Sequence, residues 1–180
     1  MTHSVQDWRI DLIVAHPRLF HAPTDRPEEA QGYPTCEAGW QDLLKTACAR
    51  IEAALVEGGS FRVLQIKEKF GTLRFYWRGT ISDATRARVE EAIALSEGRS
   101  ACTCEICGGQ GRLYNHGGGL AMACAEHAKG EPVPIKPGHE NLHIVWKFVP
   151  GQFRIVSCRR YIRDSDSFVD VDPKSIGIEG

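Results

Sequence analysis

Four residues constrain this 180-residue chain more than any others. Cys104 and Cys107 form a C-x2-C pair followed by Gly108. After a gap of 16 residues, Cys124 and His127 form C-x2-H. Zn2+ imposes no geometry of its own and takes four soft or borderline ligands in a tetrahedron. A C-x2-C turn brings two thiolates onto one ion with backbone amides aimed at the sulfurs, and the following glycine permits the bend. The spacing therefore predicts one zinc site made by Cys104, Cys107, Cys124 and His127. Catalytic zinc keeps a position for water, whereas four protein ligands close the shell, so the expected Zn2+ is structural. Its task would be to fold a segment too short to bury a core of its own.

The chain has seven cysteines, an odd number. Its N-terminus lacks the basic start, apolar run and small-residue cleavage site of a secretory signal. A disulfide framework is therefore a poor reading, and the cytoplasm is the expected location. Cys102 makes a C-x-C with Cys104 and reads as a free thiol beside the site. Cys48 reads as a small hydrophobe on a helix face. No apolar run approaches the ~20 residues that span a bilayer, so no membrane partner is expected. A net charge of −1 argues against a generally basic nucleic-acid coat and leaves room for a local basic face.

Residues 1–38 read as an irregular N-terminal segment. Within it, 8–15 fits a strand or a short helix, and Pro17, Pro23, Pro27 and Pro34 punctuate a mostly exposed connection. Residues 39–100 read as a helix–hairpin–helix core. Trp40, Leu43, Leu44, Ala47, Cys48, Ile51, Ala54 and Leu55 predict a helix over about 40–57, stopped by Gly58-Gly59. Two β-rich runs predict strands at about 61–68 and 72–78, turning near Gly71. Ser82 is the expected N-cap of a second helix with Asp83 in its first turn. Ala84, Val89, Ala92, Ile93 and Ser96 are its expected buried face and Gly98 its expected end.

Residues 101–130 read as a zinc finger, with strands at 111–115 and 120–123 around a Gly117–Gly119 turn. Cys124 to His127 would then open a helix. Knuckle, hairpin and two ligands on a helix's first turn resemble a treble-clef finger. Pro132, Pro134 and Pro137 predict a stiff linker. Within residues 131–163, runs at 141–149 and 152–162 predict a hairpin turning at Pro150-Gly151 that completes the core sheet. Residues 164–180 form an acidic tail, net −4, expected to be mobile. The expected fold is α+β: a small antiparallel sheet, two helices and a treble-clef-like zinc finger. With 8–15 as a strand, the order would resemble a ferredoxin-like topology.

Residues 61–80 carry a net charge of +4, against −4 for residues 1–60. The cations are interleaved with Phe70, Phe75, Tyr76 and Trp77. Two readings stay open. The aromatics alternate into the core beneath solvated charges, or the sheet presents cations and aromatic rings to a single strand of nucleic acid. The candidate binding surface is Arg62, Lys67, Lys69, Arg74, Tyr76 and Arg78, with Arg159, Arg160 and Arg163 as a candidate extension. Phe70 to Phe75 matches part of the RNA-binding F-G-x-V-x-F pattern. His139, Glu140, Asn141 and His143 do not form H-E-x-x-H and read as a polar strand edge.

Three strings resemble a set of uncharacterised proteins encoded by bacteriophages and prophages. They are Cys36-Glu37-Ala38-Gly39-Trp40, the run Gln65 to Tyr76 (QIKEKFGTLRFY), and Cys104-Glu105-Ile106-Cys107-Gly108 with Cys124 and His127. The resemblance covers roughly 36–127 and implies a phage context without a mechanism. The leading expectation is a non-enzymatic, zinc-stabilised protein that binds a host macromolecule, a host protein first, with inhibition of a host defence system as one form. The second is a nucleic-acid-binding module using 61–78. The third is a metal-dependent nuclease of the HNH kind, which the ending Ala123 to Gly130 resembles, with His116 as its base.

Overall fold

The computed structural model describes residues 7–178; the first six residues and the last two of the acidic tail lie outside the described residues. Mixed α and β structure with small antiparallel sheets is present, as the sequence predicts.

The N-terminal segment starts as helix α1 (Trp8–Ala15), not a strand. Asp7 caps it by accepting from the Arg9 N–H, and Trp8, Leu12 and Ile13 fall on one buried face. The ferredoxin-like order is thereby excluded. A four-residue helix α2 (Pro17–Phe20) follows, with proline at its first position. The connection is exposed through Glu29, but Ala30, Gly32, Pro34 and Cys36 are buried. Thr35 lies parallel to Lys67 and its N–H donates to the Ile66 carbonyl at 3.0 Å. This stretch extends the first hairpin instead of running over the surface.

Helix α3 (Gln41–Ala54) is flanked by 3-10 turns at Ala38–Trp40 and Leu55–Glu57, and Gly58 ends it with φ 98°. Strands β1 (Arg62–Lys69) and β2 (Thr72–Arg78) pair antiparallel. Phe70 (φ 56°) and Gly71 (φ 78°) form the two-residue loop, both left-handed, as a tight hairpin turn requires. A bulge between Val63 and Gln65 lets Val63 and Ile66 both face the core.

Helix α4 (Asp83–Ser100) is capped by Ser82, whose side chain accepts from the Thr85 N–H. Ala84 is exposed, and Thr85 takes the buried position expected for it. The helix does not stop at Gly98. There a Cβ would lie 3.0 Å from the Phe168 ring and 3.1 Å from the Tyr161 Cβ. This glycine serves close approach of the C-terminal strands, not capping.

Strands β3 (Arg112–Asn115), β4 (Leu120–Ala123) and β5 (Glu131–Pro132) form a sheet in the order β4-β3-β5. Cys124 to His127 forms a turn, so the helix of a treble clef does not follow the second ligand pair. Gly130 (φ 79°) bends the chain back instead. The first residues of the proline-rich linker become an edge strand, where a missing proline N–H is tolerated.

Strands β6 (Leu142–Val149), β7 (Gln152–Ile162) and β8 (Ser167–Asp170) form a third antiparallel sheet. This hairpin does not complete the β1–β2 sheet. The acidic tail is ordered where described: β8 pairs with β7, and Asp172 caps a 3-10 turn at Pro173–Ile176. At the far end of the hairpin Phe148 and Phe153 are exposed and stacked edge-to-face.

Helix α4 is the spine. One side packs on α3 and β2, where Trp40, Leu44, Ile51, Val63, Ile66 and Leu73 are fully buried. The other side carries β6 and β7, held by Tyr161 packed on Gly98 and by pairs of Arg159 with Glu91 and His143 with Glu97. The C-terminal hairpin fails to join the first because α4 stands between them.

Candidate metal centre

Cys104, Cys107, Cys124 and His127 come together as the spacing predicts, with all four donor atoms within 4.8 Å of one another. Cys107 Sγ lies 3.8 Å from Cys124 Sγ. His127 Nδ1 lies 3.7 Å from Cys104 Sγ and 3.2 Å from Cys124 Sγ. Zn–S bonds of about 2.3 Å and Zn–N bonds of about 2.0–2.1 Å place tetrahedral sulfurs about 3.8 Å apart, and sulfur about 3.6 Å from nitrogen. The donors therefore already stand near the corners of such a tetrahedron, with His127 presenting Nδ1. The cluster can hold a metal ion.

The knuckle is built by its backbone. Cys104 N–H donates to the Gly109 carbonyl at 2.8 Å and Gly108 N–H to the Cys104 carbonyl at 2.9 Å, while Gly108 takes φ 77°. Burial alone would raise the Cys104 thiol. The amides of Cys107, Cys124 and Ile106 outweigh it and bring the thiol down to about 6. A thiolate is the form a metal needs. Cys104 is buried and Cys107 exposed, opening on a cleft of about 370 Å³ between the knuckle and the start of α3.

The knuckle is also the meeting point of distant segments. The Gly39 N–H donates to the Glu105 carbonyl at 2.7 Å, and the Glu37 N–H to the Glu105 carboxylate at 3.1 Å. Burial raises that carboxyl above its ordinary value, and the charges of Glu68 and Glu37 push the same way against the Glu37 amide. A side chain at position 39 would collide with the carbonyls of Cys104 and Glu105. Trp40 Nε1 donates to the Thr103 carbonyl at 2.9 Å. At the hairpin turn, a Cβ on Gly71 would strike Leu113 of β3. The three strings singled out in the sequence thus form one contiguous body around the metal centre.

Arg163 closes it from the C-terminal side. Its Nη1 donates to the Cys102 carbonyl at 2.8 Å and to Thr103 Oγ1 at 2.7 Å, and its Nη2 to the Gly108 carbonyl at 3.1 Å. Sequence reasoning placed Arg163 on a basic face. No spacing rule links it to residue 103. Arg159 is likewise engaged with Glu91, and Arg160 with the carbonyls of Gly138 and Glu140. The proposed extension of the basic face is therefore folded inward.

The hairpin residues fare differently. Arg62, Lys67, Lys69, Arg74, Tyr76 and Arg78 alternate onto the outer face of β1–β2, while Val63, Ile66, Leu73 and Phe75 face the core. Arg62 lies directly opposite Arg78, and Lys67 opposite Arg74. Like charges so placed are destabilising. No carboxylate pairs with any of the five cations among the described residues. Arg74 donates only to Thr72 Oγ1 and the Leu73 carbonyl, both at 2.7 Å.

Other candidates fall outside the centre. His116 is exposed at the β3–β4 turn and is not one of the four clustered donors. Burial raises the Cys102 thiol, and its Sγ sits 3.4 Å from the Arg99 carbonyl, away from the cluster. Burial also pushes the Cys36 and Cys48 thiols up to about 12. His139, Asn141 and His143 do not share a strand face. Asn141 is left-handed (φ 51°), His139 bonds the Ile176 carbonyl and His143 bonds Glu97.

No family model matches this sequence, and no curated protein or solved structure matches it significantly. Among the described residues, no helix is long and apolar enough to cross a membrane.

Proposed function

We propose that this chain is a zinc-stabilised, non-enzymatic binding protein, encoded by a phage or prophage and acting in the bacterial cytoplasm on a host macromolecule. One observation carries the reading. The four-donor cluster is built into the framework, with Gly39, Trp40 and Arg163 all bonded to its knuckle. Three thiolates and one imidazole in a tetrahedron suit Zn2+ above harder cations, and four protein donors leave no position for a reacting water. The ion's role in this reading is to fix the relation of α3, the β1–β2 hairpin and the C-terminal sheet.

The resemblance of the three strings to phage-encoded proteins directs the search to the host cell. A host protein is the first partner to test, and inhibition of a host defence system is one concrete form. The purified protein should carry one zinc per chain and recover a stoichiometric host component from lysate, unchanged by His116→Ala. Metal-dependent cleavage of DNA that is abolished by His116→Ala would overturn the proposal in favour of a nuclease.

A further inference from the structure

We infer that the outer face of the β1–β2 hairpin is a docking surface for a single-stranded nucleic acid. The inference rests on reading the chain as a binding protein and names its partner's chemistry.

Charge accounting marks this face by its density of cations, five on one two-stranded hairpin. Of the twelve arginines outside the hairpin, six find carboxylates: Arg9 with Asp7, Arg26 with Glu29, Arg50 with Asp166, Arg88 with Glu57, Arg99 with Asp42 and Arg159 with Glu91. The five hairpin cations find none among the described residues. The hairpin's single acid, Glu68, is turned to accept from the Gly71 amide in its own turn. The fold thus keeps two opposed like-charge pairs, Arg62 with Arg78 and Lys67 with Arg74, without a counter-charge. A phosphate backbone supplies that charge.

Exposed rings specify the partner further. Tyr76 is 43% exposed in the middle of the face and Phe70 is 64% exposed at its turn. Lys67 Nζ lies 5.7 Å from the Tyr76 ring centre and Lys69 Nζ 5.2 Å from that of Phe70. Each ring therefore has a cation beside it, the combination that holds an unpaired base and its phosphate together. A duplex keeps its bases stacked and offers nothing for these rings. At the open end of the hairpin, Arg62, Arg78, His21, Ser60 and Thr80 line a cavity of about 430 Å³. That lies within the ordinary range of ligand pockets, about 300–1,000 Å³.

The test is fluorescence anisotropy of the zinc-loaded full chain with labelled oligo-dT and oligo-rU of about 20 nucleotides, and with a duplex of the same length. Single strands should bind, more weakly as salt rises. The double variant K67A/R74A should weaken binding about tenfold or more and reduce the log–log salt slope by about 1.4, the share of two phosphate contacts. Tyr76→Ala should weaken binding about fivefold or more, while Tyr76→Phe keeps most of it. These side chains lie on the outer face, so zinc content and melting temperature serve as fold controls. No single-strand binding at low salt, salt-insensitive binding, an unchanged K67A/R74A variant, or tighter duplex binding would each overturn the inference. If a host protein is recovered equally by wild type and K67A/R74A while oligonucleotides fail to bind, this inference falls and the binding-protein proposal stands.

Discussion

Trp40 donates its indole N–H to the carbonyl of Thr103 at 2.9 Å, in a fully buried contact across 63 residues of sequence. The residue that closes the lead-in to α3 thus satisfies the residue just before the first of the four clustered donors. The fold and the metal centre share this joint.

Trp40→Phe keeps most of the apolar burial and removes the donor. The Thr103 carbonyl is then buried without that partner, a loss of about 1–3 kcal/mol. Urea denaturation of the zinc-loaded variant should show this decrease in stability, with zinc content unchanged at saturating metal.

Gly39→Ala should act on the metal more directly. Its Cβ would meet the carbonyls of Cys104 and Glu105 and the amide of Gly108, all backbone atoms that cannot swing aside. Overpacking of this kind costs about 1–3 kcal/mol. Zinc affinity, measured by competition with a chromophoric chelator, should fall, whereas Gly58→Ala, which strains the backbone at φ 98° but adds a Cβ with no atom within 4 Å, should cost stability without lowering zinc affinity.

Arg163→Ala should loosen the C-terminal sheet from the finger. It removes three hydrogen bonds to Cys102, Thr103 and Gly108. A cation-assisted bond contributes about 1.5–3 kcal/mol, so the melting temperature should drop clearly. Arg163→Lys should rescue little of this, since one ammonium cannot reproduce the planar fork. Hydrogen exchange should locate the loss in the knuckle and at the β7–β8 turn.

Much of this architecture was legible locally. The donors followed from spacing, the first hairpin from Gly71 and flanking β-formers, and the Ser82 cap from its position before an apolar period. What escaped was long-range. Gly98 reads as a stop in isolation, yet it is a contact for Phe168 and Tyr161, which lie more than 60 residues away. The tail reads as solvated because of its acids. Two of them are absorbed: Asp166 by Arg50 and Tyr161, and Asp172 by a cap. The turn at Cys124 to His127 reads as a helix start in isolation, because the reversal at Gly130 is set by its packing against Asn115 and His116.

Asp166 also sets a pH dependence. It accepts from Tyr161 at 2.6 Å and from Arg50 at 2.7 Å. Burial alone would raise its carboxyl, but these two bonds outweigh it and hold it below the ordinary value. A depressed folded pKa stabilises the fold fully above the unfolded value of about 3.9, and that stabilisation fades as pH falls through the folded value. Asp166→Asn should therefore be less stable than wild type at pH 7, and the gap should narrow below about pH 4. A gap independent of pH would mean that the carboxylate's charge contributes nothing.

The central claim is that Cys104, Cys107, Cys124 and His127 hold one structural zinc that organises the three strings around it. Native mass spectrometry of the purified protein tests it most directly. The account predicts one zinc per chain, lost on Cys107→Ser together with the compact charge-state distribution. A metal-free wild-type chain with the same compact distribution would contradict it.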